Sequence, residues 1–169
     1  DYVYYWSLST AWDISSASYV GAKSFTAPHN TMRGPFWKPD GTKFFAIDPT
    51  YDSVYAYTPS TAWDITSINA SSYSTSALLD VSPISEGAAR GQFWSNDGTK
   101  FYYVGATLDQ VSMWNVSAWD VTGITGAPDD TLSISSFETA PYTICFSENG
   151  KHMYIGGAVG DGVDQLTRT

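Results

Sequence analysis

The chain has 169 residues, of which 16% are aromatic and only 15% charged, and its formal net charge is −9. That length holds one domain with a sizeable core, and so apolar a composition excludes a disordered chain. The acidic balance offers nothing to offset phosphate repulsion, which argues against nucleic acid and against an anionic membrane surface as partners.

No apolar run approaches the length of a membrane span. The first residues are Asp1-Tyr2 rather than Met, which reads as a processed, trimmed or fragmentary start with no targeting signal to interpret. The single cysteine, Cys145, excludes an internal disulfide framework. Its siblings in the repeat described next are Phe36 and Phe93, so it is expected to be a small buried hydrophobe.

Residues 1–31 open with DYVYYWSLSTAWDIS, the second half of a unit that recurs down the chain and reads as the end of a blade. Residues 32–88 carry a whole unit, FWKPDGTKFFAIDPTYDSVYAYTPSTAWDIT, with strands expected at 33–37, 43–47, 54–57 and 74–79. Residues 89–140 repeat it as FWSNDGTKFYYVGATLDQVSMWNVSAWDVT, with strands expected at 90–94, 100–104, 111–114 and 131–135. Residues 141–169 start a third, diverged copy, CFSENGKHMYIGG, with a first, a second and a third strand, the last at 163–167.

Asp40-Gly41, Asp97-Gly98 and Asn149-Gly150 supply the positive φ that a tight hairpin needs between first and second strands. The second strands are continuous aromatic and β-branched runs, as expected of strands covered on both faces. The fourth strands are rich in Ser and Thr, as expected of an outer, partly wet edge. No segment holds a helical apolar period for three turns.

Trp12-Asp13, Trp63-Asp64 and Trp119-Asp120 recur at spacings of 51 and 56 residues. Periods of that size signal a propeller or an array, because one unit cannot bury its own faces and must stack on its neighbours. The expected fold is an all-β propeller of four-stranded blades with about three repeats per chain. The ring would close by pairing N- and C-terminal strands, within one chain or between chains. Propellers usually have about four to eight blades, so two chains head to tail, making six, are favoured narrowly over a three-bladed monomer. An end-to-end fibre and a piece of a longer array stay open.

The F-x-x-D-G-T-K-F-Y-V core followed by D-x-V-x-x-Y resembles the repeat of the YVTN and lactonase-like propellers, over nearly the whole chain. The trailing S-T-A-W-D-I-S resembles repeat proteins of marine bacteria and phages. The resemblance implies the fold and leaves function open, because propellers host many activities. No catalytic set of that family maps onto this chain residue by residue, and S-N-D-G-T-K is one residue shorter between Asp and Gly than a sialidase Asp-box.

Two residue sets stand out as candidate sites. Arg33, Arg90 and Tyr142 are equivalent positions at the start of the first strands, and His29, Glu86 and Glu138 lie four residues upstream of each. In a propeller these connections crowd one mouth of the channel, where they would hold a polar ligand or neutralise one another as ion pairs. The Trp12-Asp13, Trp63-Asp64 and Trp119-Asp120 pairs would either pack and cap turns or stack on sugars, with avidity from their number.

Asp52, Asp109 and Asp161 read as turn residues, and Asp161 with Asp164 lacks the dense ladder of a calcium loop. His152 replaces a hairpin Lys and is expected to be exposed. Asn69-Ala70-Ser71 and Asn115-Val116-Ser117 fit the glycosylation sequon. No G-x-S-x-G, H-E-x-x-H or paired-cysteine spacing is present, and no metal or cofactor is expected.

The reading is a non-catalytic propeller outside the cytoplasm, on a cell surface or virion, acting as a structural or recognition module. It would assemble with other copies of itself and present loops to a cell-surface glycan or protein, without nucleic acid or membrane insertion. The alternatives are a lectin using the Trp-Asp pockets and a lactonase-like or hydrolytic enzyme at the channel mouth.

Overall fold

The computed structural model describes residues 2–25, 31–51, 53–76 and 89–159, and the backbone of 163–167. It is all-β, with four antiparallel sheets in chain order. The first is a hairpin of β1 (Tyr2–Leu8) and β2 (Ala17–Ser24). The second orders β3 (Arg33–Trp37), β4 (Phe44–Asp48), β5 (Ser53–Pro59) and β6 (Ile68–Thr75) side by side. The third repeats that order with β7 (Ala89–Trp94), β8 (Lys100–Gly105), β9 (Gln110–Asn115) and β10 (Asp130–Ser133). The fourth has β11 (Pro141–Phe146), β12 (His152–Gly157) and β13 (Val163–Thr167).

The sequence places these strands well, with one shift. The fourth strand of the first whole blade runs over Ile68–Thr75 rather than 74–79. It begins where the short helical turn at Ile65–Ser67 ends, and it pairs with β5 through Ala56↔Ser74 and Tyr57↔Tyr73. The outer strands β6 and β10 are mostly exposed, whereas all five residues of β4 are buried. Among the described strands, the first and last sheets do not pair with each other.

The core lies between sheets rather than within them. Phe45, Ile47, Val54 and Ala56 of the second sheet bury against Trp94, Phe101, Tyr103 and Trp114 of the third. Tyr55 and Tyr57, on the opposite face, bury against Phe25 and, more loosely, Val3 and Tyr5 of the first sheet. Ile144, Met153 and Ile155 close on Val104, Val111 and Ile134. Period-two alternation sends each strand's side chains to both neighbours, so every interface is one blade's following face on the next blade's preceding face. Tight ring contacts, such as Phe45–Trp94 at 4.7 Å, add geometry to the area buried.

Cys145 departs from expectation. It is exposed, although Phe36 and Phe93 at the same repeat position pack against the next blade. Ile144 and Phe146 point back to the third sheet, so the alternation turns Cys145 to the far face, on which no described sheet stacks. His152 is half-buried rather than exposed.

Candidate functional site

The three Trp-Asp turns are built alike from local chemistry. Asp13, Asp64 and Asp120 each cap a one-turn 3₁₀ helix. Asp13 Oδ1 accepts from Ser15 N–H (2.9 Å) and Oγ–H (2.6 Å), and Asp64 and Asp120 accept the same pair from Thr66 and Thr122. Those hydroxyl bonds hold all three carboxyls below the usual aspartate range, helped by the amide bonds. The preceding Trp is forced left-handed, with φ of 67°, 66° and 62° at Trp12, Trp63 and Trp119. That conformation strains a bulky residue.

Two of the indoles, those of Trp63 and Trp119, lie on the glycine of their own blade's hairpin. The backbone N–H of Trp63 donates to the Gly41 carbonyl (3.1 Å), and the backbone N–H of Trp119 donates to the Gly98 carbonyl (2.9 Å). A Cβ on Gly41 or Gly98 would fall 2.3 or 2.4 Å from the indole. Trp119 also stacks across the interface on Phe36, at 6.4 Å, and lies beside Phe45 and Trp94. The exposures are graded: Trp119 8%, Trp63 48% and Trp12 97%. Trp119 sits between two whole blades. Trp63 lies toward the two-stranded first sheet, and Trp12 belongs to that sheet, where no described hairpin glycine lies beneath it. The three positions are therefore one motif in three states of cover, with each aspartate engaged by its own turn.

At the proposed channel mouth, the first strands of successive sheets are stitched together. Arg33 Nη1 donates to Ala89 carbonyl at 3.3 Å, and the Arg90 guanidinium lies 4.0 Å over the Tyr142 ring. Gln92 Nε2 donates to the carbonyl of Gly34, a cross-blade bond that the repeat pattern does not signal. Glu138 is buried, and its Oε1 accepts from Ala140 N–H (2.7 Å) and Val159 N–H (3.1 Å). His29 and Glu86 lie outside the described residues, as do Asp52 and Asp161 and the side chain of Asp164. Asp109 sits in the turn before β9 with φ of 49°. Asn69 accepts from Ser71 N–H, and Asn115 accepts from Lys100 Nζ, so both sequon side chains serve local bonds. Among the described residues, no three His, Cys, Asp or Glu side chains converge as a metal site.

An open cleft of about 330 Å³ lies between the third and fourth sheets. Its floor is aromatic (Phe93, Tyr102, Phe146), and its rim is two hairpin turns contributing Asn96, Asp97, Glu148 and Gly150. Sequence reasoning did not find it, because it depends on how two turns from different repeats oppose each other.

No family model and no curated protein matches the chain. Among solved structures, it is similar to the periplasmic gluconolactonase of Pseudomonas aeruginosa (TM-score 0.60, 15% identity), covering 90% of this chain and 38% of that one. A chain in a nidogen/laminin complex also aligns (TM-score 0.60, 12% identity), covering 90% of this chain and 50% of that one. The Cps50 (Swd1) β-propeller domain of Myceliophteria thermophila aligns over 82% of this chain and 38% of its own length (TM-score 0.53, 10% identity). These likenesses establish β-propeller blades as the fold. The chain spans half or less of the length of these structures.

Proposed function

We propose that the chain is a non-catalytic propeller module of a cell surface or virion, whose work is recognition and assembly with further copies of itself. One observation carries the reading: the outward face of the first sheet is aromatic and exposed. Tyr2, Tyr4, Trp6 and Tyr19 form a continuous ring ladder there, with centroids 6.2, 6.1 and 5.5 Å apart. In the next blade the residues at the positions of Tyr4 and Trp6 are Tyr55 and Tyr57, which are buried against the preceding sheet. The exposed ladder is thus a blade-stacking surface by construction, and a patch of that kind marks an interaction site.

The two other readings have less to stand on. A lectin would use equivalent, open indoles, but Trp119 is buried between blades, and Asp13, Asp64 and Asp120 each commit Oδ1 to their own turns. A lactonase-like activity at the mouth is suggested by the gluconolactonase fold likeness. Against it, Glu138 holds backbone amides and Arg90 lies on Tyr142, leaving neither poised for acid–base work. Light scattering across a dilution series tests the assembly. A mass of two or more 18.4 kDa chains is expected; a monomer at every concentration overturns it.

A further inference from the structure

The cleft between the third and fourth sheets repeats the surroundings of a buried indole. Trp119 occupies its counterpart one interface earlier, enclosed by Phe36, Phe45, Trp94 and Gly98. The residues at the same repeat positions one blade on are Phe93, Tyr102, Phe146 and Gly150, and all four line the cleft. Their rings keep the same arrangement, with Phe146 4.4 Å from Tyr102 as Trp94 is 4.7 Å from Phe45. Gly150 keeps the left-handed φ of Gly98, 68° against 72°, yet a Cβ on it would meet nothing within 4 Å.

The same chain holds an indole that matches this slot. Trp12 is already in the left-handed turn of Trp119, with Asp13 capping the helix as Asp120 does, and it is almost fully exposed. Its sheet has the third and fourth strands of a blade but no first or second; the last sheet has a first, a second and a third. We infer that the cleft receives Trp12 from a second copy of this chain, whose β1–β2 hairpin completes the last blade. This rests on the assembly reading above and specifies its contact.

For Trp12 to lie over Gly150, β1 must run beside β12, where β13 now pairs through Ile155↔Asp164 and Gly156↔Val163. The docking is therefore a strand exchange, and the sequences favour the incoming strand. Val3, Tyr4, Tyr5 and Trp6 stand where β13 has Val163, Asp164, Gln165 and Leu166, and aromatic residues suit a covered strand better than Asp and Gln. The exchange also covers the ladder, turning Tyr4 and Trp6 of the incoming hairpin onto the third sheet of the receiving copy, as Tyr55 and Tyr57 turn onto the first sheet. Lys43 Nζ bonds the Trp119 carbonyl across the filled interface at 2.7 Å; Lys100 holds the same repeat position one blade on, where its Nζ now bonds Asn115 Oδ1 and would have to turn from it to reach the carbonyl of Trp12. Two whole blades and one shared blade per chain close a six-bladed dimer.

The test combines mass measurement with cysteine trapping. Trp12→Ala is expected to weaken association by at least about tenfold, as removal of a central aromatic anchor does, while leaving the far-ultraviolet circular dichroism of the dilute chain unchanged. In a Cys145→Ser background, Ala11→Cys chains mixed with Lys151→Cys chains are expected to oxidise to a covalent heterodimer. The pair is chosen because the bond from Trp119 N–H to the Gly98 carbonyl sets Ala118 beside Thr99. If the wild type assembles but Trp12→Ala assembles equally well, or no heterodimer traps, the slot inference falls and the assembly reading stands. If both cysteines in one chain trap a covalent monomer at all dilutions, Trp12 closes its own ring and the second copy is ruled out. A wild type that stays monomeric without such closure overturns both.

Discussion

The Trp119 indole lies flat on Gly98, close enough that a methyl group on that glycine would sit 2.4 Å from the ring. Gly98 also holds φ at 72°. Gly98→Ala therefore meets two penalties, left-handed strain of roughly 1–2 kcal/mol and displacement of a buried indole. Gly150→Ala meets only the first, because its Cβ would enter open space. Urea unfolding of the two variants is expected to show Gly98→Ala the more destabilised by a clear margin, and equal losses would mean that the indole gives way freely.

Truncating the indoles should reproduce their gradient of cover. Trp119→Ala removes a ring packed on Phe36, Phe45 and Trp94 and is expected to cost about 3–5 kcal/mol, the usual range for a large core aromatic. Trp12→Ala, measured where the chain is monomeric, should change stability by no more than about 0.5 kcal/mol, as for an exposed site. Trp63→Ala should fall between. Three similar losses in chemical unfolding would show that the exposures do not report packing.

Much of this fold is legible in the sequence because its units repeat. Asp-Gly turns, doubly apolar second strands and Ser/Thr-rich outer strands each follow from local chemistry, and β3 and β13 begin and end where the pattern puts them. The shift of β6 to Ile68–Thr75 was not legible, since the register is set by where the Asp64-capped helix releases the chain. Cys145 misled for another reason. Its repeat position is buried only when a following blade exists, so neighbours decide what the pattern alone cannot. The pairing of Trp119 with Gly98 had a signal, the recurrence of Trp-Asp and Asp-Gly in both whole units, but their meeting is a fact of three-dimensional stacking.

Glu138 offers a separate test of the fourth sheet. Its buried carboxylate accepts two backbone amides, tying the turn before β11 to the strand end after β12. Its carboxyl carbon also lies where a Cβ on Gly157 would be, 2.2 Å away. Glu138→Ala orphans both amides and is expected to cost about 1–3 kcal/mol; Glu138→Gln, which keeps an acceptor oxygen, should cost less. Hydrogen exchange at Ala140 and Val159 reads the effect directly, and unchanged protection in the Ala variant would remove the role.

The hairpin and Trp-turn aspartates predict a shared acid limb of stability. Asp97 is held at about 2, below its ordinary 3.8, first by the Ser95 hydroxyl and then by Thr99. Asp40 is held lower still, chiefly by Lys38, and Asp13, Asp64 and Asp120 move the same way. A carboxyl with a depressed folded pKa binds protons more weakly than the unfolded chain does. Its contribution is complete above the unfolded value and disappears as pH falls through the folded one. Thermal stability is therefore expected to drop between about pH 4 and pH 2. The third repeat supplies the control, because Asn149 makes two of the three Asp97 bonds without titrating, accepting from Lys151 N–H at 3.0 Å and Ser147 Oγ–H at 2.8 Å. Asp97→Asn should keep neutral stability close to wild type and flatten part of the acid limb. An acid limb as steep as wild type in that variant would assign the proton uptake to other groups.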